Sequence, residues 1–195
     1  HHYLGESPSN VAADSALLEF TYDFEQQQVD PNSYRELFRV NMPFYDHPIK
    51  QIQFNQFARP GEEDYGLLYV THGDASVQSA IAGGGQNRDD ALGKVLRIDP
   101  LQQASSPYTT PASPFADNEE TLDEIFALGF RNPHNLSFAV DSDDDSRLVI
   151  ADIGRDNVEE VNLVDPGEDY GWSSREGTFV HRNSGGGFIN GVRPL

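Results

Sequence analysis

Apolar residues along the chain come in short bursts and not in helical stripes. Leu17–Phe24 alternates with polar partners, and Tyr34–Met42 and Ile49–Phe57 follow across turn-rich gaps. Leu67–Val70, Lys94–Ile98, Ile125–Leu128, Leu136–Val140, Leu148–Ile150 and Val161–Val164 are each closed within a few residues by Gly, Asp or Pro. No segment sustains the 3.6-residue period of an amphipathic helix, so long helices are not expected. About nine short strands at roughly even spacing predict an all-β sandwich, barrel or propeller.

Two phrases echo one another: GLLYVTHGDAS (Gly66–Ser76) and SRLVIADIGRD (Ser146–Asp156). Each reads as an apolar strand followed by a polar turn carrying Gly and Asp. Propeller blades of the best-known repeat type run to about 40–45 residues, so the chain holds about four blades' worth, the low end of the usual range. The expectation is therefore one domain over residues 1–195, forming part of a β-propeller. Gln102–Asn118 is rich in Pro, Ser and Thr and reads as a surface loop, not a linker.

Charge narrows the partners. Lys and Arg total 13 against 32 Asp and Glu, a net charge of −19. A field of that sign repels phosphate backbones and anionic lipid, which argues against nucleic acid and membrane surfaces and favours cations or uncharged ligands. The same acidity also suits a merely solvated surface. With no cysteine, disulfides and thiolate metal sites are excluded. No apolar run approaches transmembrane length, and no signal peptide opens the sequence.

Candidate chemistry gathers in turns. His47, in Tyr-Asp-His-Pro before a strand, has the residue type and ordinary titration range of a general base. Asp74, closing the next strand in Thr-His-Gly-Asp, is in reach to orient that imidazole, although Asp46 and Asp74 also suit turns that bond their own backbone. Arg131, fixed by the turn Arg-Asn-Pro with Asn132, presents a planar donor fork suited to a carboxylate or quinone oxygen, or to loop carbonyls. His134 reads as a polar loop residue.

Asp152-Ile-Gly-Arg-Asp156 followed by Glu159-Glu160 is a cation-friendly cluster, since calcium takes carboxylates and carbonyls that a Gly loop turns inward. The spacing is not that of an EF-hand. Asp143-Asp144-Asp145 reads as a solvated turn. The triplets Gly83–Gly85 and Gly185–Gly187 lack the Lys-Ser/Thr of a phosphate cradle, and the sequon at Asn135 opens an apolar strand.

These residues, taken in order, resemble the soluble glucose/sorbosone dehydrogenase family, six-bladed propellers that include pyrroloquinoline-quinone-dependent aldose sugar dehydrogenases. The resemblance runs from His47 to Gly177 through DHPIKQIQF, LLYVTHGD, LGKVLRIDP, SPF, FALGFRNPHNLSF, ADIGRDNVEEVNL and DYGW. It implies that His47 is the catalytic base, that Asp74 is its partner, and that Arg131 stabilises developing negative charge. It implies that Arg131, Asn132 and His134 face pyrroloquinoline quinone. It further implies that the backbone at Gly154 and Arg155 binds calcium, with Glu160 and Tyr170 at a second calcium.

The reaction implied is oxidation of an aldose at C1, with a sugar substrate, an electron acceptor, further polypeptide completing the propeller, and a periplasmic or secreted location. Ile153 and Arg155 stand where the family often has Gln and Pro. The hedgehog-interacting-protein-like branch shares the RNP, Glu-Glu and Tyr-Gly-Trp segments and offers the alternative of a non-catalytic, calcium-stabilised propeller that binds carbohydrate or protein.

Overall fold

A computed structural model describes residues 2–5, 13–76, 84–116, 121–155 and 158–180. Asp156, Gly83, Gly185–Gly187 and the end of the Gln102–Asn118 loop lie outside the described residues. The elements are β1 (Ala13–Glu19), β2 (Tyr22–Asp23), β3 (Gln28–Val29), β4 (Arg35–Met42), β5 (Ile49–Phe54), β6 (Leu68–His72) and β7 (Lys94–Ile98). They continue with β8 (Ile125–Leu128), β9 (Pro133–Val140), β10 (Ser146–Asp152), β11 (Glu160–Val164), β12 (Arg175–Glu176) and β13 (Phe179–Val180). Among the described residues there is one 3-10 turn, Gly84–Gln86, and no α-helix.

The sheets are propeller blades. One is four-stranded in the order β5-β6-β7-β8, the next three-stranded in the order β11-β10-β9, and β1 pairs with β4. All these pairings are antiparallel between consecutive strands or their near neighbours. Two further two-stranded pairs, β2-β3 and β12-β13, complete the described sheets, and long connections such as Asn55–Leu67 and Asp99–Glu124 absorb many of the residues. The two echoing phrases become β6 and β10, each the second strand of its blade.

Alternation along the strands assigns each face, because successive side chains point to opposite sides of a sheet. In the four-stranded blade Leu68, Val70, Leu96, Ile98, Ile125 and Leu128 join a core shared with Phe38, Val40 and Met42 of β4. Tyr69, Val95 and Phe126 turn the other way and pack with Leu136, Phe138, Leu148, Ile150 and Val164 of the next blade. Burial on both faces is why LLYV and IFAL read as unbroken apolar runs. Tyr69 anchors that second core, edge-on to Phe126 and to Phe138 at 5.1 Å each.

The blade ends separate two environments. At one end Asn55 donates to Asp64 at 3.3 Å and to Ser146 of the neighbouring blade at 2.8 Å, and Tyr69 donates its hydroxyl to Asp64 at 2.7 Å. These polar groups pin blade to blade. At the other end, where β5 starts, β6 ends and β9 starts, the loops carrying His47, Asp74 and Arg131 converge.

Candidate functional site

His47 sits between β4 and β5 with φ 54°, in the left-handed region. Its loop presses against Gly73, where a Cβ would come within 2.5 Å of the His47 Cβ and 2.7 Å of its carbonyl oxygen. Only glycine accommodates that approach, so the Thr-His-Gly-Asp sequence has its glycine for the sake of His47. The His47 Nδ1 then lies 2.7 Å from Asp74 Oδ1, with the two residues 6% and 1% exposed. A carboxylate on Nδ1–H leaves Nε2 as the lone-pair nitrogen. The Nε2 has the exposed Asp46 carboxylate 3.9 Å away.

Asp74 has both of the functions its sequence position allows. Its Oδ1 also accepts from the backbone N–H of Ser76 at 2.8 Å, the local turn bond, while Oδ2 accepts from Trp172 Nε1 at 2.6 Å. Its own N–H donates to the Arg131 carbonyl at 2.8 Å, which fastens the His47 loop to the Arg-Asn-Pro turn.

That turn is capped by Asp152 at the end of β10. Its two carboxylate oxygens accept from the N–H groups of Arg131 at 2.9 Å and Asn132 at 2.7 Å. Burial pushes the Asp152 carboxyl up to about 7, against the pull of those two donors. Arg131 in turn sends Nη1 to the carbonyls of Ile153 at 2.9 Å and Gly154 at 2.8 Å, and its guanidinium carbon lies 5.7 Å from the Trp172 ring.

The candidate cofactor residues fit calcium and a quinone in kind. Two backbone carbonyls converge on one cationic nitrogen, and oxygen donors so arranged suit a hard cation. Arg131 Nε and Asn132 Oδ1 are buried and make no hydrogen bond. They are one donor and one acceptor, of the kinds that an oxygen-bearing cofactor would pair. Arg131 is the internal occupant of the carbonyl pair, so an incoming cation requires the guanidinium to move.

The remaining predicted positions are more dispersed. His134 is exposed on β9, its Nδ1 3.4 Å from Asn135 Oδ1, and is not drawn into the His47 cluster. Arg155 points outward, while its N–H donates to Glu176 at 2.6 Å. Glu159 and Glu160 accept from the N–H groups of Gly154 and Gly177. Tyr170 stacks on Phe130 at 4.9 Å and donates its hydroxyl to the Leu163 carbonyl at 2.7 Å. Glu160 and Tyr170 thus engage different partners, and among the described residues no three His, Cys, Asp or Glu side chains group as metal ligands. Asp143–Asp145 form an exposed turn closed on Asp141.

Three residues at this end were not marked by sequence reasoning. In the sequence Trp172 is only the last residue of the Tyr-Gly-Trp segment, and its bond to Asp74 spans 98 positions. His72 and Lys94 face one another across β6 and β7, both fully buried. Burial lowers His72 to about 4 and Lys94 to about 8. Their signal is a charged or titratable residue inside an apolar run, LLYVTH and LGKVLRI.

The family model described as Glucose / Sorbosone dehydrogenase matches residues 13–183, and the chain belongs to that family. The HIPL1 protein of Arabidopsis thaliana is 34% identical over 177 residues, which are 85% of this chain and 24% of that protein. The HIPL2 protein of the same plant is 34% identical over 75% of this chain and 21% of its own length. The chain therefore spans less than a quarter of the length of these curated relatives.

Among solved structures, the PQQ-bound aldose sugar dehydrogenase of Streptomyces coelicolor superposes with a TM-score of 0.59 at 25% identity, over 94% of this chain and 45% of that one. The apo aldose sugar dehydrogenase of Escherichia coli does so with a TM-score of 0.59 at 20% identity, over 82% and 40%. The fold is thus part of a propeller of the quinone-dependent sugar dehydrogenase type.

Proposed function

We propose that this member of the family contributes the base and part of the cofactor site of a quinone- and calcium-dependent oxidoreductase that oxidises aldose sugars at C1. The observation that carries the reading is the buried His47–Asp74 pair at 2.7 Å, fastened through Asp74 N–H to the turn that holds Arg131.

On this reading His47 Nε2 takes the proton of the sugar's C1 hydroxyl. Asp74 holds the ring by Nδ1–H and stabilises the imidazolium that results. Arg131 supplies a fixed positive charge where negative charge develops, and Asn132 and Arg131 Nε offer the orphaned acceptor and donor to the bound cofactor. The carbonyls of Gly154 and its neighbours are the oxygens that would hold calcium. The chemistry supplied by bound pyrroloquinoline quinone and calcium is hydride acceptance and carbonyl polarisation. An uncharged sugar suits a surface of this acidity.

The second reading, a calcium-stabilised propeller that binds carbohydrate or protein without turnover, draws support from the 34% identity to the HIPL1 and HIPL2 proteins. The test is to load the intact protein with pyrroloquinoline quinone and calcium and follow dye reduction with a panel of aldoses. Sugar-dependent reduction supports the dehydrogenase. Calcium-dependent stabilisation with neither reduction nor a shift of the quinone spectrum supports the binding protein and sinks the enzyme.

A further inference from the structure

Trp172 comes from the loop after β11, yet it ends against the His47 pair. It is 3% exposed, and its indole N–H donates to Asp74 Oδ2 at 2.6 Å, the oxygen that His47 does not use. An indole N–H is a donor only and does not titrate in the range of an enzyme's work. Such a group holds a carboxylate in one plane by a fixed donor.

The tryptophan is itself held on several sides. Its backbone N–H donates to the Gly129 carbonyl at 2.9 Å. Its own carbonyl lies against Gly85, where a Cβ would approach to 2.3 Å. The Gly85 carbonyl accepts from Gly129 N–H at 2.9 Å and from the buried ammonium of Lys94 at 3.1 Å. A frame thus runs from Lys94 through Gly85 and Trp172 to Asp74 and His47. On the ring face stands the Arg131 guanidinium, 5.7 Å away, within the range at which a cation interacts with an indole.

We propose that Trp172 is a positioning residue for His47: through its indole N–H it fixes the Asp74 carboxylate that orients the imidazole. The proposal deepens the reading of His47 as the base and rests on it. Phenylalanine at this position keeps one aromatic ring and loses the donor together with the pyrrole ring, and the double variant with Asp74→Asn separates the lost donor from the lost volume.

The test reads His47 without sugar, quinone or calcium, in the intact protein. In the native protein the Trp172 indole N–H resonance follows the titration of the His47 ring through the shared carboxylate; a resonance flat across that titration overturns the proposal. In Trp172→Phe the titration of the His47 ring moves upward while the rest of the spectrum holds, and an unmoved titration overturns it. Under turnover, Trp172→Phe lowers kcat about 10- to 100-fold with KM within about twofold.

Added to Asp74→Asn, the same change costs nothing further, because its effect runs through Asp74. A full additional loss in the double variant places the tryptophan's effect elsewhere and overturns the proposal. Coupled titrations in a native protein that shows no turnover would instead overturn the dehydrogenase reading and leave the Trp172–Asp74–His47 link standing.

Discussion

Asp74 and His47 meet at 2.7 Å with almost no exposed surface on either side chain, and among the described residues Asp74 accepts from at least three donors: the imidazole, the Ser76 N–H and the Trp172 indole. Three donors on one carboxylate leave no room for an amide. Asp74→Asn turns an NH2 toward at least one of those donors, so the variant is expected to lose about 2–4 kcal/mol of stability. Turnover of the loaded protein should fall about 100-fold or more. Denaturant melts and steady-state rates check both. A variant as stable as the native protein would mean that the carboxylate charge is not needed there.

Gly73→Ala tests the close approach directly. The new Cβ meets His47 Cβ at 2.5 Å and backbone oxygen at 2.7 Å, neither of which is the yielding end of a flexible chain. The expected cost is about 1–3 kcal/mol, with displaced His47 resonances and unchanged β10–β11 resonances. A variant with native His47 chemical shifts would show that the loop has slack.

Arg131→Ala removes the cation from the Ile153 and Gly154 carbonyls. Two partly buried acceptors are then left open, and the variant is expected to lose about 1–2 kcal/mol without calcium. Calcium should recover part of that loss and raise Tm more in the variant than in the native protein, since binding to the folded state alone stabilises it. Equal calcium shifts in the two proteins would show that guanidinium and cation do not compete.

The fold was legible because burial on both faces writes itself into composition. Lys94–Ile98 and Ile125–Leu128 are strands at the bounds their apolar runs predict, and Ile49, Met42, Val140 and Val164 each mark a true strand end. Leu17–Phe24 reads as one strand yet breaks after Glu19, because Tyr22–Asp23 turns away to pair with Gln28–Val29. Two-residue pairs such as β12–β13 carry no period and leave no trace.

In the site, the meeting of His47 with Asp74 follows from strand-end positions and is local in the sheet. The bond from Trp172 is not local, and nothing in Tyr-Gly-Trp says which carboxylate it seeks. The resemblance implies calcium at the backbone of Gly154 and Arg155, and nothing in that stretch tells that the chain's own cation, Arg131, about twenty residues earlier, bonds the Gly154 carbonyl and that of Ile153.

Stability should fall in mild acid because of His72. Burial lowers its imidazole from 6.5 to about 4, its Nε2 has no hydrogen-bond partner, and Lys94 adds repulsion. The unfolded chain therefore takes up the proton first, and this residue's contribution is lost as pH falls from about 6.5 to about 4, by up to about 3 kcal/mol. His72→Gln, neutral at every pH, should flatten the Tm–pH curve across that window. An unchanged slope would assign the acid sensitivity to the carboxylates.

The central claim is that His47 is the base of a sugar oxidation, and the comparison of native protein with His47→Ala tests it most directly. Both are loaded with pyrroloquinoline quinone and calcium, given an aldose, and followed by dye reduction alongside a calcium-dependent melt. The account predicts sugar-dependent reduction in the native protein, loss of about 100-fold or more in the variant, and the same calcium stabilisation in both. Equal rates in the two proteins, or no reduction in the native one, would contradict it.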